Sequence, residues 1–300
     1  MFNQTLTRCC KYKKEWNTDM NQIRIFADST CDLTAELIKK YQINIIPLSI
    51  VLDDKSYFDG TEVTPDEIYK WADANKTTPK TAAASYEQIF DAMKSAMDAG
   101  EDIIFFGISG DMSSTCNVAR FVGRENYERL FVIDSRNLST GIGLQVIKAA
   151  EMAAAGKTAE EIVAYINQKK GDVRASFVID TLTYLARGGR CTPVTALMAN
   201  TLKLHPMIVV KDGKMGVSKK FLGKMDFALA KYVGELTKDL LQADKSRVFI
   251  THSGCSEATI AKVRSMLEDL DYFDEILVTR AGGVISSHCG PNTLGVLFYM

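Results

Sequence analysis

Three histidines occur in this chain of 300 residues, and one of them, His288, lies in the stretch Gly282-Gly283-Val284-Ile285-Ser286-Ser287-His288-Cys289-Gly290-Pro291-Asn292-Thr293. Here an apolar run delivers an imidazole into a turn of Gly and Pro, residues that fix backbone paths others resist. Binding and catalytic groups favour such turns when a rigid scaffold carries them. Four hydroxyl-rich segments offer complementary chemistry: Asp28-Ser29-Thr30, Ser109 to Thr115, Asp134-Ser135 and Thr77-Thr78-Pro79-Lys80-Thr81. Hydroxyls beside helix-start amides make an anion site, although the same residues also serve as plain helix caps. A second chemistry is nucleophilic, with Ser113 as hydroxyl and His288 as its base, but the GxSxG elbow of acyl hydrolases is missing.

Other chemistries fail on spacing. Neither a P-loop nor a GxGxxG follows a strand-like run, and Gly188-Gly189-Arg190 and Gly282-Gly283 are too short to cradle a phosphate. The seven cysteines (Cys9, Cys10, Cys31, Cys116, Cys191, Cys255, Cys289) form no CxxC pair and no Cys/His cluster with zinc spacing. No cofactor, metal or disulfide framework is therefore expected. A net charge of -1 leaves no electrostatic footprint for nucleic acid or an anionic membrane, and Lys11, Lys13 and Lys14 form too short a basic cluster to change that. No apolar window reaches the ~18 residues of a membrane span, and Met1 to Met20 lacks the apolar core of a signal peptide. A cytoplasmic protein with no integral membrane segment is expected.

The elements that must position these groups alternate. Strand-like runs at Ile23 to Ala27, Ile43 to Leu52, Ile103 to Ile108 and Leu130 to Ile133 are separated by helical patterns. Those patterns are Leu33 to Tyr41 after a cap-like Asp32, Thr64 through Trp71, Ser85 to Ala99, a helix from about Asn117, and Gly141 to Ala155. Such alternation predicts a largely parallel sheet with helices on both faces, and open sheets of this kind bind ligands beyond the carboxyl ends of their strands. After a helix at Thr158 to Lys169 the pattern shifts to strands at Ser176 to Ile179, Met207 to Lys211, Lys214 to Lys219, Arg247 to His252 and Glu275 to Thr279. Asp212-Gly213 signals a hairpin, which a purely parallel sheet would not contain. The expected organisation is an N-terminal extension over 1–22, an α/β domain over 23–170 and an α+β domain over 171–300, with the ligand between the last two.

Taken together, Asp28-Ser29-Thr30-Cys31-Asp32-Leu33, Ile46-Pro47-Leu48, Pro79-Lys80-Thr81, Ile108 to Thr115, Ile133-Asp134-Ser135, Leu182 to Arg190, Lys211-Asp212-Gly213 and His288-Cys289-Gly290-Pro291 resemble the DegV proteins, which include the fatty-acid-binding subunits of bacterial fatty acid kinase. Each motif is weak alone, but they run in the family's order. The resemblance implies a non-enzymatic carrier that buries one long-chain fatty acid, such as palmitate, in an apolar tunnel and offers its carboxylate to a separate fatty acid kinase. It places the carboxylate contacts on Thr81, Ser113 and His288, with Ser114, Thr115 and Ser29 as neighbouring ligand-binding candidates. At about 0.8 kcal/mol per methylene, a sixteen-carbon tail would gain on the order of 10 kcal/mol before entropy losses. The tail would thus supply affinity and the head group orientation. The chain departs from the family pattern at Thr81-Ala82-Ala83-Ala84-Ser85 and Ser113-Ser114-Thr115, and the arginine expected soon after Gly213 is not evident around Lys219 to Lys224. Two rival readings stand beside the carrier: a kinase-independent lipid or small-acid binder, and a Ser/His acyl hydrolase.

Overall fold

A computed structural model describes residues 22–192 and 204–300, so nearly all of the expected N-terminal extension lies outside the described residues. The first part of the chain forms β1 (Ile23–Asp28), α1 (Ala35–Lys40), β2 (Asn44–Ile46), β3 (Ser49–Leu52), β4 (Lys55–Phe58), α2 (Pro65–Asn75), β5 (Lys80–Ala82) and α3 (Tyr86–Asp98). Next come β6 (Asp102–Gly107), α4 (Thr115–Asn126), β7 (Leu130–Asp134), α5 (Thr140–Ala154) and α6 (Ala159–Lys169). The rest contributes β8 (Val173–Val178), α7 (Leu182–Gly188), β9 (Leu204–Lys211), β10 (Lys214–Leu222), α8 (Met225–Leu240), β11 (Val248–His252), α9 (Glu257–Glu268), β12 (Ile276–Arg280), α10 (Gly283–Cys289) and β13 (Leu294–Tyr299).

The expected parallel sheet is present, in the order β2-β1-β6-β7. Its strands carry continuous apolar runs because both faces are covered. Successive residues serve opposite faces: Ile104 and Phe106 pack with α5 and α6, whereas Ile103 and Phe105 pack with α3 and α4. The second sheet is mixed, in the order β10-β9-β8-β13-β11-β12, and the hairpin at Asp212-Gly213 joins β9 to β10. Here Phe249 and Leu297 face α5, while Val248 and Phe298 face α8 and α9. Helix α5 therefore lies between two sheets, with every residue from Thr140 to Ile147 buried. Its first two turns carry no charge and are largely apolar on every side, and such a stretch is buried.

One expected strand divides, and several elements are added. The run Ile43 to Leu52 is two strands: β2 pairs with β1, and after Pro47 the chain enters a small antiparallel sheet, β4-β3-β5. Proline supplies no amide to a ladder and ends the first pairing. Strands β4, β5 and β13 and helices α7, α8, α9 and α10 were not among the expected elements. Strand β13, central in its sheet, follows a Gly-Pro turn and is apolar throughout, so it lacks the alternation that marks a half-exposed strand.

Candidate functional site

His288 sits on a helix, α10, and not in the turn that its glycines and proline suggest; Gly290-Pro291-Asn292 follows that helix. What makes this segment helical comes from elsewhere in the chain. The Gly282 and Gly283 amides donate to Asp32 at 2.8 Å and to Asp59 at 2.6 Å, so two acidic side chains satisfy open amides of the helix start. Gly283 is required by closeness: a Cβ there would stand 2.5 Å from Ile50 Cδ1 and 2.8 Å from Ile68 Cδ1. Asp32 does not cap α1, a task that falls to Thr34. Its left-handed backbone, φ 51°, lets its carboxylate accept from Ser139 and α10 instead. Ser29 donates to Asp59 at 2.8 Å and accepts from the Leu48 amide, tying the parallel sheet to the small one. Burial raises the pKa of Asp28 to about 6 and that of Asp32 to about 8, and raises that of Asp59, against the hydrogen bonds these side chains accept.

Helix α10 presents His288 to β5, whose register against β3 sets Thr81 opposite Ile50. Thr81 Oγ1 and His288 Nε2 are 2.8 Å apart. Both line a cavity of about 50 Å³ with Ser113 and Arg190, and its walls include Leu48, Ile108, Met112, Leu185, Met215 and Ile285. It lies beyond the carboxyl ends of β6 and β7, and the second sheet contributes Met215. A smaller cavity of about 20 Å³ shares Leu138, Ile285 and Cys289 with the first.

The sequence candidates divide by position. Thr81, Ser113 and His288 converge on one cavity, while Ser114, Thr115 and Ser29 are not among its lining residues. Thr115 is buried and its hydroxyl lies 3.0 Å from that of Ser113, which also accepts from the Thr115 amide at 3.3 Å. Ser114 is exposed at the start of α4.

Burial, with the positive charge of Arg190 second, lowers His288 to about 4, so the ring is neutral near pH 7. Its Nδ1 is buried without a partner. A general base works best with a pKa near the working pH and a third group orienting it. His288 has neither, its Nε2 faces Thr81, and the Ser113 hydroxyl is engaged with Thr115. The geometry therefore supplies hydrogen-bonding groups and does not assemble an activated serine. Among the described residues, no group of three or more His, Cys, Asp or Glu side chains is arranged to hold a metal ion.

Sequence reasoning missed Arg190, exposed at the cavity, whose guanidinium donates to the Gly188 carbonyl at 2.8 Å. The signal was present in Gly-Gly-Arg, where a glycine stop after an apolar helix delivers an arginine. Asp32 and Asp59 had no such signal, because the amides they hold come 250 and 224 positions later.

A family model described as DegV, uncharacterised protein, matches residues 22–300. A DegV domain-containing protein of Clostridium perfringens is 30% identical over 284 residues, covering 94% of this chain and 99% of its own. A fatty-acid-binding DegV family protein from Thermus thermophilus superposes with a TM-score of 0.86 at 28% identity, over 93% of this chain and 99% of its own. A Thermotoga maritima protein whose structure revealed fatty acid binding gives 0.81 at 27% identity, over 93% and 100%. The match begins just before β1, ends with the last residue and embraces both large sheets with the cavity between them, which makes the chain a member of the DegV family.

Proposed function

We propose that this protein binds a long-chain fatty acid, with the carboxylate at Thr81, Ser113 and Arg190 and the acyl chain running between the two large sheets. One observation carries the reading: two hydroxyls, an imidazole and a guanidinium line one cavity whose remaining walls are mostly apolar. The fatty-acid-binding proteins of Thermus thermophilus and Thermotoga maritima, of the same fold, support it. Charge-assisted hydrogen bonds would fix the head, and burial of methylenes would supply most of the affinity. Pockets for ligands of this size run to roughly 300–1,000 Å³, so about 50 Å³ calls for walls that yield. Met112 and Met215 have the flexible side chains for it, and displacement of Leu138, Ile285 and Cys289 would join the two cavities into one path.

In this reading the protein is a carrier and not itself a catalyst. It shields the tail and presents the carboxylate, on the side of exposed Arg190, to a partner kinase that forms the acyl phosphate. A second reading, a binder that works without a kinase, is favoured by the lack of an arginine between Lys219 and Lys224. Native mass spectrometry of the protein as purified, followed by extraction, should recover a stoichiometric C14–C18 acid. Refusal of added palmitate by the delipidated protein would overturn the proposal. Capture of a kinase from the native host would separate carrier from kinase-independent binder. Ile285→Trp, which fills the shared wall, should abolish binding of sixteen-carbon acids.

A further inference from the structure

The cavity's imidazole is approached on its far side by bare backbone. A Cβ built on Gly188, the last residue of α7, would lie 2.2 Å from His288 Nδ1, 3.1 Å from Cε1 and 3.3 Å from Cγ, and these are its three nearest neighbours. Gly188 is not among the residues with positive φ, so its backbone would accept alanine without strain. The nearest obstacle to a side chain there is the ring itself. This closeness leaves Nδ1 buried with no hydrogen-bond partner, while Nε2 lies 2.8 Å from Thr81 Oγ1.

A neutral imidazole carries its hydrogen on one nitrogen only. With the hydrogen on Nδ1, the site would bury an N–H that donates to nothing, an arrangement rare in folded proteins, and Thr81 would spend its own hydrogen on Nε2. With the hydrogen on Nε2, the ring donates to Thr81 Oγ1, the orphan is a lone pair, and the threonine hydrogen is free to point into the cavity. We infer that Gly188 is a positioning residue: its bare backbone seats His288 as the Nε2–H tautomer and thereby turns Thr81 into a hydrogen-bond donor toward the head group. Arg190 reinforces the seat, since its guanidinium binds the Gly188 carbonyl at 2.8 Å. The Thr81 half of this inference rests on the fatty-acid reading above; the tautomer does not.

Nitrogen-15 NMR of histidine-labelled full-length protein reads the tautomer without any ligand, with the His288 signals assigned by their loss in His288→Gln. The expected spectrum is a neutral ring protonated on Nε2 at pH 7, and a ring protonated on Nδ1 would overturn the inference. A double-mutant cycle titrated with palmitate supplies the second arm. Gly188→Ala should weaken binding at least tenfold in the native background and leave it unchanged in the His288→Ala background, where the methyl group has room. Equal losses in both backgrounds would refute a role through His288. If native protein binds no palmitate, the fatty-acid reading fails, and the tautomer together with its perturbation in Gly188→Ala still decides the positioning role.

Discussion

Thr81 and His288 stand 207 positions apart, yet their side chains meet at 2.8 Å, and that contact needs a β-strand and a helix held at one separation. Ser113 is placed differently, by a loop whose turn is fixed by its own hydroxyl: Ser113 Oγ accepts from the Thr115 amide. Removing one polar contact to a charged ligand costs about 1–3 kcal/mol. Thr81→Val and Ser113→Ala should each weaken palmitate binding by about that amount in calorimetric titration, with circular dichroism unchanged. Unaltered affinity in both would remove these hydroxyls from the head-group site. The residue types were legible in the sequence, since hydroxyls after strands and a histidine beside glycines are local facts. Their selection was not, because Ser29, Ser114 and Thr115 look equally suitable until their hydrogen bonds and burial are known.

At the scale of elements, α10 depends on groups from distant segments. Asp32 sits in a left-handed turn after β1 and Asp59 follows β4, and both hold amides at the start of the helix that carries His288. Burial raises Asp32 to about 8, above its unfolded value of 3.8, so the folded protein binds a proton that the unfolded chain has released. Such a group stabilises the fold at low pH, and its contribution is lost as pH rises toward 8. His288 acts in the opposite sense, since its pKa falls from 6.5 to about 4 and its contribution is lost only as pH drops below about 6.5. Between pH 6.5 and 8 the Asp32 effect dominates this pair, and urea unfolding should show stability falling by about 1–2 kcal/mol across that window. Asp32→Asn should flatten the slope; an unchanged slope would place the titrating group elsewhere. Sequence periodicity predicted most helices of the first half within a few residues of where they lie. It set His288 in a turn of Gly and Pro and missed the helix that carries it, because the acidic side chains at the start of this helix are remote in sequence.

Over the whole molecule, α5 couples the two large sheets. Ile147 is fully buried in a core that includes Ile104 and Phe106 from one sheet and Phe177 and Leu297 from the other. Ile147→Ala should cost about 2–5 kcal/mol, and both sheets should unfold together. Tryptophan fluorescence and far-ultraviolet circular dichroism should therefore give coincident denaturant transitions; two separated transitions would mean that α5 does not couple the sheets. A second link is polar. The tip of the β9–β10 hairpin rests on the other half, with the Ser109 hydroxyl donating to the Gly213 carbonyl at 2.7 Å and Arg136 reaching the Asp212 carbonyl. Because Met215 on that hairpin lines the cavity, Ser109→Ala should speed release of bound fatty acid in stopped-flow displacement. An unchanged off-rate would exclude the hairpin tip as a clasp.

Local pattern alone determined the alternation of strands and helices, the parallel first sheet, the hairpin at Asp212-Gly213 and the polar turns after β1, β6 and β7, because each follows from periodicity and turn chemistry within a few residues. Tertiary structure alone decided which hydroxyls face the cavity, that Arg190 joins them, that Asp32 and Asp59 anchor α10, and that Leu138, Ile285 and Cys289 separate two cavities. The division has a physical cause. Hydrophobic periodicity is written along one segment, whereas a site is assembled from hydrogen bonds and van der Waals contacts between segments hundreds of residues apart, and those exist only once both sheets have closed on α5.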